Sequence, residues 1–209
     1  ISEMIQSKGI LAKLLERGVR ILLTKECKKI AHLKIDLTAS SIQIIKGEIQ
    51  RINITAKDVN YKELFLDEVE LKANQIKINF NLTKKQLKFK DNPRLEFKIS
   101  LSEDSLNKVL LSKNWNWIKN MINKELLNHK RLENLKISDG RLLIKVLENS
   151  ISINELLHIN VKTDNGKFFL VNKKYNKIIQ IPLEDKIYIE DVNLDNNLIN
   201  ISARSTISF

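Results

Sequence analysis

From Ala31 to Leu101 the chain alternates. Ala31, Leu33, Ile35, Leu37 and Ala39 are spaced by polar residues. The pattern returns at Ile52, Ile54 and Ala56, at Val69, Leu71 and Ala73, at Ile76, Ile78, Phe80 and Leu82, and at Leu95, Phe97, Ile99 and Leu101. Period-two spacing places every apolar side chain on one face of an extended strand, which no helix can do. Four or more strands with short polar breaks are therefore expected, paired as an antiparallel meander. Only 5 Gly and 2 Pro stand among 209 residues, so the elements should be long. Ile42 and Ile44 carry the alternation on in the even register, Gly47 interrupts it, and Ile49 falls out of phase. A β-bulge near Gly47 would account for the slip.

Two regions change period. Ile10, Leu11, Leu14, Leu15, Gly18 and Leu22 recur at three- and four-residue spacing, which predicts a helix from about Ser2 to Leu23. Val19 and Ile21 widen its apolar stripe, while Lys13, Arg17 and Arg20 share another face. A helix this apolar needs an extensive partner surface. The second helical region starts at Ser102, a good N-cap followed by Glu103 and Asp104 in the first turn. Leu106, Val109 and Leu110 form its stripe. A further helix begins near Lys113, with Trp115, Ile118, Ile122 and Leu126 on one side. Positions two apart on a helix differ by about 200°. Trp117, with Met121, therefore points away from Trp115, which places Trp115 in the core and Trp117 at a groove mouth or interface.

Strands then return. Asp139-Gly140 and Asn165-Gly166 are two-residue hairpin turns. They join Leu135/Ile137 to Leu142–Val146, and Ile159/Val161/Thr163 to Phe169/Val171. Ile179/Ile181, Ile187/Ile189, Val192/Leu194 and Leu198–Ala203 supply further strands, and Pro182 suits a sheet edge. Runs of strands beside separate helices mean an α+β fold. The expected organisation is one domain over 1–209: a helix and meander over 1–101, helices over 102–128, and a second meander over 129–209.

The formal net charge is +11. Lys, Ile and Asn are all abundant and all come from AT-rich codons, so the total says less than the distribution. Residues 1–34 carry eight cations (Lys8, Lys13, Arg17, Arg20, Lys25, Lys28, Lys29, Lys34) against three Glu (Glu3, Glu16, Glu26). Nucleic-acid binding is the rival that such charge supports. Aromatics make up only 6%, however, and no run resembles the base-stacking motifs of RNA-binding sheets. Basic residues on helices with large apolar faces suit a membrane surface better. An envelope scaffold without a lipid ligand is the other alternative.

Several classes find no support. Cys27 is the lone cysteine, so no disulfide forms within the chain. No apolar run nears the roughly 20 residues that span a bilayer. No signal peptide is visible, and the chain opens at Ile1 rather than Met, which leaves a preceding targeting segment open. His32, His129 and His158 fall in different elements, and Cys27 with His32 lacks the rest of a zinc set. No nucleophile elbow, phosphate loop or dinucleotide fingerprint occurs. Asp67, Glu68 and Glu70 read as solvated strand positions. No enzyme activity and no cofactor are expected.

The stretch GILAKLLERGVRILL, from Gly9, precedes IDLTASSIQIIKGEIQRINITAKDVNYKELFLDEVELKANQIKINF. Then come SLSEDSLNKVLLS, from Ser100 to Ser112, and ISDGRLLIKV. This order resembles the LmeA-like phospholipid-binding family, catalogued in bacteria. The likeness covers most of the chain and is weakest from about Tyr175. It implies the tubular lipid-binding (TULIP) architecture: a long curved antiparallel sheet wrapped around amphipathic helices, with an apolar groove for acyl chains. It implies no catalytic set. The partners it points to are phospholipid or another two-chain lipid and an anionic membrane surface, with no nucleic acid; it leaves oligomeric state open. Leu11, Leu14, Leu15, Val19, Leu22, Leu106, Val109, Leu110, Trp117 and Met121 are the groove candidates. Lys13, Arg17, Arg20, Lys25, Lys28, Lys29 and Lys113 are the candidates for meeting anionic headgroups. The residues alone leave open whether the helices fill the concavity or leave a slot.

Overall fold

The computed structural model describes residues 9–81, 86–148 and 151–206. Helix α1 (Ile10–Glu26) leads into β1 (Lys29–Thr38), a short helix α2 (Ser41–Lys46), β2 (Glu48–Tyr61), β3 (Leu64–Asn81), β4 (Gln86–Phe89) and β5 (Arg94–Ser102). Helices α3 (Glu103–Leu111) and α4 (Asn116–Met121) follow, and α4 runs on into a π turn at Ile122–Leu126. The chain ends in β6 (Arg131–Ser138), β7 (Arg141–Glu148), β8 (Ile151–Asp164), β9 (Lys167–Asn172), β10 (Lys177–Ile181), β11 (Ile187–Asp195) and β12 (Leu198–Thr206). The architecture is α+β and β-rich. The helix expected from Ser2 is seen from Ile10; Ser2–Lys8 and Leu82 lie outside the described residues.

Among the described residues the strands form two antiparallel sheets, not one. The long sheet runs β1-β2-β3-β5-β12-β11, with β4 added beside β3, and the second runs β10-β9-β8-β7-β6. The final hairpin therefore returns to the first sheet, where β12 pairs with β5 from Leu198↔Ser102 to Thr206↔Arg94. The meander expected over 129–209 is split, and only β6–β10 form the second sheet. Sequence spacing cannot reveal this, because a hairpin's alternation is the same whichever sheet receives it.

The long strands are kinked. His32, Asp58 and Gln75 have φ of 47°, 48° and 51°, and the β1/β2 register slips on either side of Ala31. The inward side chains switch parity at these points: Ile49, then Ile52, Ile54 and Ala56, then Val59 on β2. The break near Gly47 is not a bulge. Ser40 and Gln43 form a reciprocal capping box and start α2, and Gly47 ends it in the left-handed region at φ 76°. A Cβ at Gly47 would collide with the carbonyl of Ile78. Period-two reading fails here because Ile42 and Ile44 sit on a turn of helix.

Two covers lie on the inner face of the long sheet. Ala12 and Leu15 of α1, with Val19 and Leu23 half-buried, pack on Ile35, Leu37, Ile52, Ile54, Ala73 and Ile76. At the other end, Val109 of α3, together with Val161 and Phe168 of the second sheet, packs on Ala56, Val59, Leu101, Val192, Ile199 and Ala203. A third core fills the second sheet, where Leu126, Leu127, Ile144 and Ile159 are fully enclosed.

Polar clamps join the sheets through α3. Ser102 caps α3 and donates from its N–H to Asp67 Oδ2 at 2.6 Å and from its hydroxyl to Oδ1 at 3.1 Å. Asp67 is thus a structural acceptor rather than a solvated strand position. Further along α3, Asn107 Nδ2 donates to the Leu135 carbonyl at 2.7 Å and its Oδ1 accepts from Leu135 N at 2.9 Å. Glu103 accepts from Ile137 N at 3.2 Å. These side chains satisfy an edge of β6 that no strand pairs among the described residues.

The two expected hairpin turns form, with positive φ at Asp139, Gly140, Asn165 and Gly166, and Pro182 directly follows the edge strand β10. The expected single stripe Trp115–Ile118–Ile122–Leu126 divides. Ile118, Ile122 and Leu126 enter the second sheet's core, whereas Trp115 packs with the long sheet and donates Nε1–H to the Lys62 carbonyl at 2.9 Å. Trp115 precedes α4, so helical spacing does not govern it. Met121, expected on the outward side with Trp117, packs half-buried against the second sheet's core.

Candidate functional site

The residues of the inner face come into line through strand register. One row reads Ile35↔Ile54↔Leu71↔Phe97↔Ala203, and the next continues Ala56↔Val69↔Ile99↔Ile201. The rows are not equally covered. Ile35, Ile54, Ala56 and Ala203 are buried, but Val69, Leu71, Leu95, Phe97, Ile99 and Ile201 are only half-buried. The half-buried block lies on β3, β5 and β12, where the α1 cover and the α3 cover meet. Leu33 packs against both covers' clusters. Alanines at 56, 73 and 203 line this region, and their small side chains leave the face shallow. Neighbouring strands stand about 4.8 Å apart and rise about 3.4 Å per residue, so the seam measures roughly 10 by 14 Å.

The sequence-derived groove candidates scatter about this seam. Leu15 is buried under α1, Leu11 and Val19 are half-buried beside it, and Leu14 and Leu22 face outward. Leu106 is half-buried, and Val109 and Leu110 are enclosed in the cores. Trp117 is 39% exposed. The seam residues were recognisable as strand positions. That they form a site follows only from which strands neighbour one another and where the covers stop.

The basic candidates separate as well. Lys13, Arg17 and Arg20 are exposed along α1, whose start adjoins α2: a Cβ at Gly9 would stand 2.9 Å from Ser41 Oγ. Lys25, Lys28, Lys29 and Lys113 are exposed at the other end. There Lys28 N–H donates to the Asn60 carbonyl at 2.8 Å, and Glu63 accepts from Asn114 N at 2.9 Å. Trp117 belongs to this end. Helix α1 runs between the two ends and is roughly 25 Å long at about 1.5 Å per residue.

Two polar concavities lie elsewhere. One of about 270 Å³ sits on the outer face among Arg51, Asn53, Lys72 and Asn74, and one of about 150 Å³ lies near Gly166, Tyr188 and Glu184. Neither is lined as an acyl chain requires. Burial, reinforced by Glu26, pushes the Cys27 thiol above its usual range, which keeps it protonated and poorly nucleophilic. Among the described residues no three His, Cys, Asp or Glu side chains converge as a metal set, and no helix is long and apolar enough to cross a membrane.

Comparison with curated proteins and with solved structures finds no match. A family model does match, over residues 7–196, and its description is LmeA-like phospholipid-binding. The match runs past Tyr175 into β11, beyond the point where the sequence likeness looked weakest.

Proposed function

Because this chain belongs to the LmeA-like phospholipid-binding family, we propose that it holds phospholipid, or another two-chain lipid, by its acyl chains in the seam of the long sheet. It performs no chemistry on that lipid and carries or presents it as a peripheral protein at an anionic membrane surface. The whole chain acts as one lipid-binding unit, with the long sheet and its helical covers as a TULIP-like frame.

The observation that carries this reading is the half-buried block Val69, Leu71, Leu95, Phe97, Ile99 and Ile201, six apolar side chains left incompletely covered between two packed cores. Acyl chain laid there buries apolar surface on both partners. Each methylene removed from water contributes about 0.8 kcal/mol, so ten give roughly 8 kcal/mol before ordering costs. Leu11, Leu15 and Val19 of α1 flank one side of the seam, and Leu106 flanks the other. Of the two covers α1 is the easier to displace. Its buried residues are Ala12 and Leu15, and Glu16 ties it to the sheet by accepting from Leu37 N at 3.0 Å. Elements with few buried contacts open at low cost.

The exposed Lys13, Arg17 and Arg20 supply attraction to anionic lipid, each about 1 kcal/mol within a Debye length of about 8–10 Å. Organic extraction of the gently purified protein, followed by lipid mass spectrometry, tests this reading.

A further inference from the structure

Helix α2 is short but firmly held. Ser40 Oγ accepts from Gln43 N at 3.2 Å and Gln43 Oε1 accepts from Ser40 N at 2.8 Å, and Gly47 closes the other end against the Ile78 carbonyl. Yet none of its six residues is buried. Ile44 is half-buried against the α1 core, while Ile42 and Ile45 are 67% and 76% exposed. Three residues apart, they share one face. A helix fixed at both ends that holds two isoleucines out in water is not explained by folding.

Helix α1 extends the same surface. Its core side is Ala12, Leu15, Val19 and Leu23. At about 100° per residue, Ile10, Leu14 and Ile21 fall within a sector of roughly 40° opposite that side. All three are exposed, Ile10 to 78%. The two helices meet where Gly9 approaches Ser41, so Ile10 and Ile42 are the residues next to the junction. Two adjoining helices thus expose the aliphatic side chains of Ile10, Leu14 and Ile21 on α1 and of Ile42 and Ile45 on α2.

Charge names the occupant. Lys13, Arg17 and Arg20 flank the α1 stripe on one side, and Lys46 ends α2; all four are exposed. The acids of α1 stand apart: Glu16 turns to the sheet and accepts from Leu37 N, and Glu26 is the last residue. An apolar centre with cations at its margins fits anionic headgroups around hydrocarbon, with the long basic side chains reaching up to the headgroups.

We propose that the outer face of α1 and α2 is a membrane-docking surface, with Ile42 and Ile45 inserting into an anionic bilayer as a fixed wedge. This rests on the reading that the protein works at a membrane, and it names the part that enters. It also places the seam beside the bilayer, since α1 is both the docking element and the seam's cover.

The test uses vesicles of phosphatidylglycerol and phosphatidylcholine. Ile42→Gln/Ile45→Gln keeps the caps of α2 and should weaken co-sedimentation at least tenfold. An environment-sensitive dye on Ile45→Cys, in a Cys27→Ser background, should shift to the blue with these vesicles. The same dye on Lys98→Cys, on the outer face of the long sheet, should not. Equal vesicle binding by the double variant, or a dye at 45 that stays in water, overturns the proposal. So does a wild-type dimer that the double variant dissociates, which would make this face a self-association surface. Uptake of monomeric fluorescent phospholipid keeps the two readings apart. Uptake without docking defeats the wedge alone, and docking without uptake defeats the lipid-binding seam alone.

Discussion

Leu71 of β3 and Phe97 of β5 stand directly opposite each other on the inner face of the long sheet, yet they pack into different cores. Leu71 joins the cluster under α1, and Phe97 joins the cluster under α3 and the second sheet. Cross-strand partners usually share one set of neighbours. Here the boundary between two covers passes between them, which leaves both half-buried.

Filling that boundary should block the seam. Leu71→Trp adds bulk where the face is partly open, so the fold should survive while fluorescent phospholipid uptake falls at least tenfold. Far-UV circular dichroism and thermal melting check the fold. Undiminished uptake would place the lipid elsewhere.

Asp67→Ala should destabilise the protein without touching the seam. It removes the acceptor of the Ser102 N–H and one acceptor of its hydroxyl, and leaves the Ser102 N–H without its partner, a cost of about 1–3 kcal/mol. Urea unfolding measures the difference, and Asp67→Asn should recover part of it. A change within about 0.5 kcal/mol would show that the clamp is dispensable.

The strands other than β4 were legible from alternation, and so were the Ser102 cap and both hairpin turns, because each depends on neighbours in sequence. What spacing could not reveal depends on distance in the chain. Nothing local tells β12 to pair with β5 rather than extend the second sheet. Nothing marks Val69 or Ile99 as less covered than Ile54, since β2, β3 and β5 alternate alike. The α2 helix was missed because Ile42 and Ile44 mimic a strand, although Ser40 and Gln43 spell a capping box. Trp115 was placed on a helical stripe, but it lies before the helix begins.

Reversal of the α1 cations should release the protein from anionic vesicles. Lys13→Glu/Arg17→Glu/Arg20→Glu changes the charge by six while leaving Ala12 and Leu15 in place. Binding of the wild type should weaken steeply with salt. Unchanged co-sedimentation of the triple variant would show that these residues merely solvate the helix.

Trp117 separates the two ends of the molecule. It stands two residues after Trp115, whose indole N–H donates to the Lys62 carbonyl, whereas α2 lies at the opposite end of β2. With docking through α1 and α2, brominated lipids should quench tryptophan fluorescence only weakly, and Trp117→Phe should change that little. Strong quenching abolished by Trp117→Phe would place the Lys28, Lys29 and Lys113 end at the bilayer instead.

The most direct measurement is the lipid content of the protein itself. Purified without detergent, extracted with organic solvent and analysed by mass spectrometry, the wild type should yield phospholipid or another two-chain lipid near one mole per mole. Leu71→Trp, prepared in parallel, should yield far less. Wild-type protein that carries no stoichiometric lipid, and that also fails to take up fluorescent phospholipid, would contradict lipid binding in the seam.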